Sequence, residues 1–264
     1  SEKKMKLLAI GDVCGSIGCE AVGKILPSLK KNKKIDAVII NGENSADGNG
    51  IVPESADRLF SYGADVITGG NHSMRRKSVL DYLDEKPFVL RPHNITDAQS
   101  GKGYCLLDMG YARIAVINLM GKIYLDKIAS SCPFEAADAL ISKAENDGAG
   151  IIAVDFHAEA TSEKRALGIY LDGRVSVFFG THTHVQTADE QILKNGTGYI
   201  TDLGMTGPED SVLGVKSEII IDRLKNGGKA GFRLADGECR LDGCIFDIDV
   251  KSGKCTGVER ISLK

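Results

Sequence analysis

Six short runs of unbroken apolar character, spaced along the first two thirds of the chain, decide most of what it can fold into. They are KLLAIG (6–11), DAVIIN (36–41), DVITGG (65–70), RIAVINL (113–119), GIIAVDFH (150–157) and RVSVFFG (174–180). A strand with one wet face alternates apolar and polar side chains, so runs without alternation describe strands covered on both faces. Between them, segments 19–31, 54–62, 76–84, 134–146 and 162–171 carry apolar residues at helical spacing and predict amphipathic helices. Pro53 stands at a helix start and Gly148 just past a helix end, as their backbone preferences favour. Pro27 is expected to kink or end the first helix. Strands alternating with helices make this an α/β chain.

From about residue 196 the texture changes to TGYITDL, SEIIIDRL, KAGFRLAD and CIFDIDV, separated by Gly and Asn-Gly turn signals. These stretches predict a β-rich end with hairpins, forming a second and more antiparallel sheet. No repeat and no linker rich in Pro, Ser or charge divides the chain, so residues 1–264 are expected to form one domain. The SEKK that precedes Met5 reads as a remnant, with Met5 as the natural start.

The totals exclude several classes of function. Hydrophobic residues make up 42% and the net charge is -3, too apolar for disorder and too weakly charged for a broad nucleic-acid surface. Any phosphate-bearing ligand must be gripped locally. The chain lacks an apolar stretch of about 18 residues and a basic-then-apolar leader, so no membrane partner and a cytoplasmic location are expected. The seven cysteines, Cys14, Cys19, Cys105, Cys132, Cys239, Cys244 and Cys255, form no CxxC pair and read as reduced packing thiols.

What distinguishes the sequence is where its polar residues fall. KLLAIGD ends at Asp12, DAVIINGEN at Glu43 and Asn44, DVITGGNH at Asn71 and His72, AVDFH at His157, and VFFGTHTH at His182 and His184. Ligands of open α/β sheets gather beyond the carboxyl ends of strands, and five predicted strands deliver eight metal-ligand or acid–base side chains there. Singly, each has a plain reading. Asp12 suits a helix cap, Asn44 and Asn71 suit turns, and His157 suits a hydrogen-bonded core position. The pair His182 and His184 is stronger, since residues two apart on an extended segment face the same side.

Jointly the eight need a common cause, because only His93 of the five histidines lies elsewhere. Asp12 and Glu43 brought to one rim would repel unless protonated or neutralised by a cation. Imidazole, carboxylate and amide ligands without thiolate suit Mn, Fe or Zn. A nucleotide-binding turn at GDVCGSIG is the rival, but its glycines are spaced GxxxGxxG, and Asp12 would face phosphates with the wrong sign unless a metal intervened.

The order GD…G, NGEN, GNH, H, GTHTH resembles the calcineurin-like metallophosphoesterase superfamily, whose signature runs GD-x-H-G, GD-x-x-[DNE], GNH-[DE], H and GH-x-H. It is closer still to the YmdB-like bacterial branch of 2′,3′-cyclic-nucleotide phosphodiesterases, through NGENSADGNGI, TGGNH, RPHN, CPF, VDFHAEATSEK, GTHTHVQTADE and TDLGMTGP. The resemblance implies a four-layer α/β/β/α sandwich with two metal ions, Fe, Mn or Zn, on its rim. It implies that Asp12 and His184 bind the first ion, that Glu43 bridges, and that Asn71, His157 and His182 bind the second. Asn44 would assist at the first site or contact phosphate. His72 would be the general acid for attack by metal-activated hydroxide on a small phosphodiester, with the 2′-side P–O bond broken.

Two departures stand out. Cys14 occupies the place of the superfamily's first-motif His, and Asn44 is the expected substitute ligand. Ser73, Met74 and Arg75 follow GNH where relatives carry an aromatic and then an acidic residue. Tyr104, Tyr124 and Phe134 are candidates to stack a base, against the commoner role of packing. Competing functions are a phosphomonoesterase or nuclease with the same centre, and a metal-binding regulatory or RNA-associated protein. A homo-oligomer with the C-terminal region at its interface is a further expectation.

Overall fold

The computed structural model describes residues 3–125 and 127–264; Ser1 and Glu2 of the expected SEKK remnant lie outside that range. Strands β1 (Lys4–Ile10), β2 (Asp12–Val13), β3 (Ala37–Asn41) and β4 (Val66–Thr68) are linked by helices α1 (Gly15–Lys33) and α2 (Pro53–Ser61), and a short turn leads into α3 (Leu80–Glu85). The chain continues through β5 (Tyr104–Asp108), β6 (Arg113–Met120), α4 (Pro133–Asn146), β7 (Ile151–His157), α5 (Thr161–Tyr170) and β8 (Val177–Thr181). It ends with β9 (Gln191–Ile192), β10 (Gly198–Ile200), β11 (Met205–Pro208), α6 (Ser217–Asn226), β12 (Cys239–Asp249) and β13 (Cys255–Leu263). Pro27 lies inside α1 without ending it.

The apolar runs belong to two sheets. One has the order β2-β11-β12-β1-β3-β4 with β13 on β12, and the other the order β5-β6-β7-β8-β10-β9. Leu8 and Ile10 of β1 enter a core under α1 and α2, while Met5, Leu7 and Ala9 enter a second core between the sheets. In β7, Ile151 and Ala153 join the core between the sheets, and Ile152, Val154 and Phe156 pack outward with α4 and α5. β1 and β7 are thus apolar on both faces because each face meets a different core. The layers are α/β/β/α.

The C-terminal expectation needs correction in two places. SEIIIDRL is α6, not a strand, and most of KAGFRLAD lies outside any strand or helix. β12 and β13 also found no sheet of their own, because β12 pairs antiparallel with β1 from Lys4↔Asp249 to Ile10↔Gly243. β1 thereby lies between β12 and its parallel neighbour β3.

Candidate metal centre

Asp12 lies in the two-residue β2 just past β1, Glu43 and Asn44 just past β3, and Asn71 and His72 just past β4. His157 closes β7, and His182 and His184 follow β8 on the opposite sheet. The carboxyl ends of both sheets meet at one edge, and the eight side chains converge there in a single hydrogen-bonded cluster.

Glu43 is its centre. Its Oε1 lies 3.1 Å from His157 Nε2, 3.1 Å from Asn44 Nδ2 and 3.7 Å from His72 Nδ1, while Oε2 accepts from the His72 N–H at 2.9 Å. His157 Nε2 also lies 2.9 Å from Asn71 Oδ1 and 3.1 Å from His182 Nδ1. Four lone-pair atoms therefore close on one another, and a single proton cannot satisfy them all. On the other side His184 Nε2 is 3.6 Å from Asp12 Oδ1 and 3.2 Å from Asn44 Nδ2.

The outer faces of the histidines settle which nitrogens carry hydrogen. His184 Nδ1 lies 3.1 Å from the Leu213 carbonyl, which can only accept, so Nδ1 carries hydrogen and Nε2 is turned inward. His182 presents Nε2 to Glu159 Oε2 at 3.0 Å, leaving Nδ1 for the cluster. The Thr181 hydroxyl donates to Asp155 Oδ1 at 2.7 Å, so it accepts from His157 Nδ1 at 2.9 Å and turns Nε2 inward. Asp155 is fixed in turn by Asn41 Nδ2 at 3.1 Å and by the Thr68 hydroxyl. Outer-shell acceptors of this kind orient histidine toward a metal. Asp155, Glu159, Thr181, Thr68 and Asn41 were absent from the sequence reading, although Asp155, an acid within a fully buried strand, was the available signal.

The histidine pair does not follow the extended geometry that its spacing suggested. His182 has φ 103° and His184 has φ 62°, so the chain bends and sends the two rings to opposite ends of the cluster. Non-glycine residues at positive φ are strained and need external support. Asp12 Oδ2 accepts from the His182 N–H at 3.1 Å, and Asp202 Oδ2 accepts from the Thr183 N–H at 3.1 Å. Behind them Lys164 donates to Asp202 Oδ2 at 2.7 Å with both side chains out of contact with water, and the Gly204 N–H donates to Oδ1 at 2.8 Å. This buried pair braces the bend from below.

Electrostatics point the same way. Burial alone would raise the pKa of Asp12 and of Glu43, but His184 holds Asp12 and His157 holds Glu43 below the usual carboxylate range. Burial opposes protonation of His157, which Glu43 nevertheless raises, and of His184, which Cys14 and Asp12 raise well above 6.5. Burial, with His157 beside it, lowers His182 to about 3. Without a cation the cluster keeps protons in its place.

Asp12 Oδ1 is buried with no hydrogen-bond donor, and Glu43, His157 and His182 offer ligand atoms within 4.8 Å of one another. A Cβ at Gly70 would lie 2.2 Å from Glu43 Oε2 and 2.3 Å from His157 Nε2, so only glycine leaves this room. The donor set is imidazole, carboxylate and amide oxygen, which fits a divalent cation. Cys14 Sγ lies 3.7 Å from His184 Nδ1, the outward nitrogen, while Asn44 faces the inward one.

Above the cluster opens a cleft of about 580 Å³, lined by Glu43, Asn44, His72, His182 and His184 on its floor and by Arg75, Arg76 and Phe232 among its walls. The aromatic candidates from the sequence do not line it: Tyr104 donates to Asp147 at 2.7 Å, Phe134 packs edge-on against Tyr170, and Tyr124 is exposed elsewhere. Among the described residues, no helix is long and apolar enough to cross a membrane.

The chain matches the family described as YmdB-like protein over residues 8–261. It is 46% identical over 257 residues to the 2′,3′-cyclic-nucleotide 2′-phosphodiesterase of Bacillus subtilis strain 168, covering 97% of this chain and 96% of that one. A crystal structure described as a novel phosphatase from Mycoplasma pneumoniae superposes with a TM-score of 0.94 at 34% identity, covering 100% of this chain and 94% of that one. The NAD nucleotidase of Haemophilus influenzae shares the fold alone, with a TM-score of 0.61 at 15% identity over 98% of this chain and 56% of that one. From its strand-end motifs to its two-sheet sandwich, the chain belongs to the YmdB-like family.

Proposed function

We propose that the chain is a phosphoric diester hydrolase that opens 2′,3′-cyclic nucleotides at the 2′-side P–O bond and leaves the 3′-nucleotide, using two metal ions, Fe, Mn or Zn. The observation that carries this reading is the inward convergence of three histidine nitrogens on Asp12, Glu43 and Asn71, in a chain close in sequence to a phosphodiesterase of that specificity. Asp12 and His184 would hold one ion, with Asn44 assisting there or contacting phosphate, Asn71, His157 and His182 would hold the other, and Glu43 would lie between them. Such ions, when bound, lower the pKa of water toward neutrality and neutralise charge on phosphoryl oxygens.

The remaining chemistry belongs to His72. Its Nδ1 is 2.9 Å from Asn44 Oδ1, which fixes that nitrogen as the donor and leaves Nε2 on the cleft side to give a proton to the departing 2′-oxygen. Burial lowers the pKa of His72 and Glu43 opposes the shift, so the protonated ring is a readier acid than free imidazole. Arg75 beside it adds positive charge where the phosphate would lie.

The core shared by the two sheets supports reading the chain as one catalytic domain, and its seven unpaired cysteines support a reducing, cytoplasmic setting. A phosphomonoesterase is the second reading, favoured by relatives described as phosphatases or phosphodiesterases in Mycoplasma. Elemental analysis of protein purified without chelator, paired with turnover of 2′,3′-cyclic AMP, tests both. About two ions per chain and release of 3′-AMP are expected. Release of 2′-AMP would reject the specificity, release of phosphate from 3′-AMP without opening of the cyclic diester would favour the monoesterase, and metal-independent turnover would reject the centre.

A further inference from the structure

The cleft has a wall that metal binding does not use. Phe232 lies in the loop between α6 and β12, lines the cleft and leaves 61% of its surface exposed. The Arg223 guanidinium lies 4.3 Å from its ring centroid on one face. A cation stacked on one side holds an aromatic ring in place and leaves the other face free.

The loop is anchored for the purpose of presenting that ring. Leu234 seats against Gly15 and Gly48, where an added Cβ would come within 2.3 Å and 2.6 Å of its methyl carbons. The Lys216 N–H donates to the Arg233 carbonyl at 3.0 Å and the Ala235 N–H to the Gly214 carbonyl at 2.9 Å, tying the loop to the turn before α6. Leu234 forms an isolated antiparallel bridge with Val215, and Phe232 and Leu234 both line the cleft. Arg75 and Arg233 line it too, and neither makes an ion pair among the described residues.

We propose that the α6–β12 loop is the nucleoside subsite of this cleft, with Phe232 stacking the base of a mononucleotide whose phosphate lies over the cluster near Arg75. This rests on the reading of the centre as a nucleotide phosphodiesterase. Stacking is tolerant because every base has a π-face, so purines and pyrimidines are both accepted, with purines favoured by their larger area.

Calorimetric titration of the metal-loaded protein with 3′-AMP and, separately, with inorganic phosphate tests the subsite, with turnover of 2′,3′-cyclic AMP measured alongside. Phe232→Ala is expected to weaken 3′-AMP binding about tenfold relative to phosphate, and Phe232→Tyr to restore it. Equal 3′-AMP affinity in wild type and Phe232→Ala overturns the proposal. So does a Phe232→Ala variant that changes only the sedimenting mass, which would assign the ring to contact with a second copy. Phe232-dependent binding of 3′-AMP without turnover of the cyclic substrate keeps the subsite and rejects the reaction. Turnover with an unaltered kcat/KM in Phe232→Ala keeps the reaction and rejects the subsite.

Discussion

Replacing Lys164 with methionine removes the cationic half of an ion pair that lies wholly inside the protein, with its two partners 2.7 Å apart. The stem of Lys164 packs across Gly180, where an added Cβ would come within 2.9 Å of its Cδ and Cε, and methionine keeps most of that contact. What is lost is charge. Asp202 remains buried with only the Thr183 and Gly204 N–H groups to solvate it. Breaking a buried pair from one side costs about 3–5 kcal/mol, because the surviving charge is left uncompensated. With a urea m-value of about 3 kcal/mol/M, the unfolding midpoint of metal-free protein should fall by about 1 to 1.7 M at unchanged m. Adding Asp202→Asn should recover part of the loss, since the buried charge disappears with its partner. The bend at His182 and His184 should loosen in Lys164→Met and metal content should drop with it. A midpoint shift worth less than about 1 kcal/mol, or a double variant as unstable as the sum of the singles, would refute the reasoning.

Three further outcomes are expected. His72→Ala should keep its metal and lose about 10²- to 10⁴-fold in kcat on 2′,3′-cyclic AMP but far less on a p-nitrophenyl ester, whose leaving group needs no proton, whereas Asp12→Ala should lose metal by elemental analysis. Gly70→Ala should fold, as judged by circular dichroism, yet lose metal, because its methyl group would stand 2.2 Å from Glu43 Oε2; retained stoichiometry would contradict the geometry. In metal-free protein His182 has its pKa lowered to about 3, so below pH 6.5 the unfolded chain takes a proton that the folded one refuses. The stability of wild type relative to His182→Gln should therefore fall as pH drops from 6.5 toward 3, and a pH-independent difference in denaturation midpoints would exclude the buried neutral ring.

Strands β1, β3, β4, β6, β7 and β8 could be read from the sequence because the sandwich buries both faces of each, and burial on both faces is what erases alternation. The meeting of the eight polar groups was legible for a related reason: a strand that is apolar along its length announces the first polar residue after it. The division into two sheets was not, since β3 and β7 carry the same kind of run yet lie in different sheets. α6 was misread because its three consecutive isoleucines have strand character, and only Ile219 among them is buried, so packing left no helical stripe to recognise. Lys164 and Asp202 escaped because an ion pair across 38 residues has no local signature. Phe232 escaped because an exposed ring in a loop looks the same in sequence whether or not it faces a cleft.

The placement of β1 between β3 and β12 has a consequence for synthesis. At about 5–20 residues per second, roughly 10 to 45 s separate the making of β1 from the making of β12. Through that interval β1 has a row of N–H and C=O groups without their antiparallel partner, the kind of edge on which nascent chains aggregate. All eight cluster side chains have been made by residue 184, before β12, which completes the sheet of β1 and β3, exists. Assembly of the cluster and closure of the first sheet are thus separate events, and a ribosome-bound chain stalled between them would carry all eight cluster side chains on a half-built support.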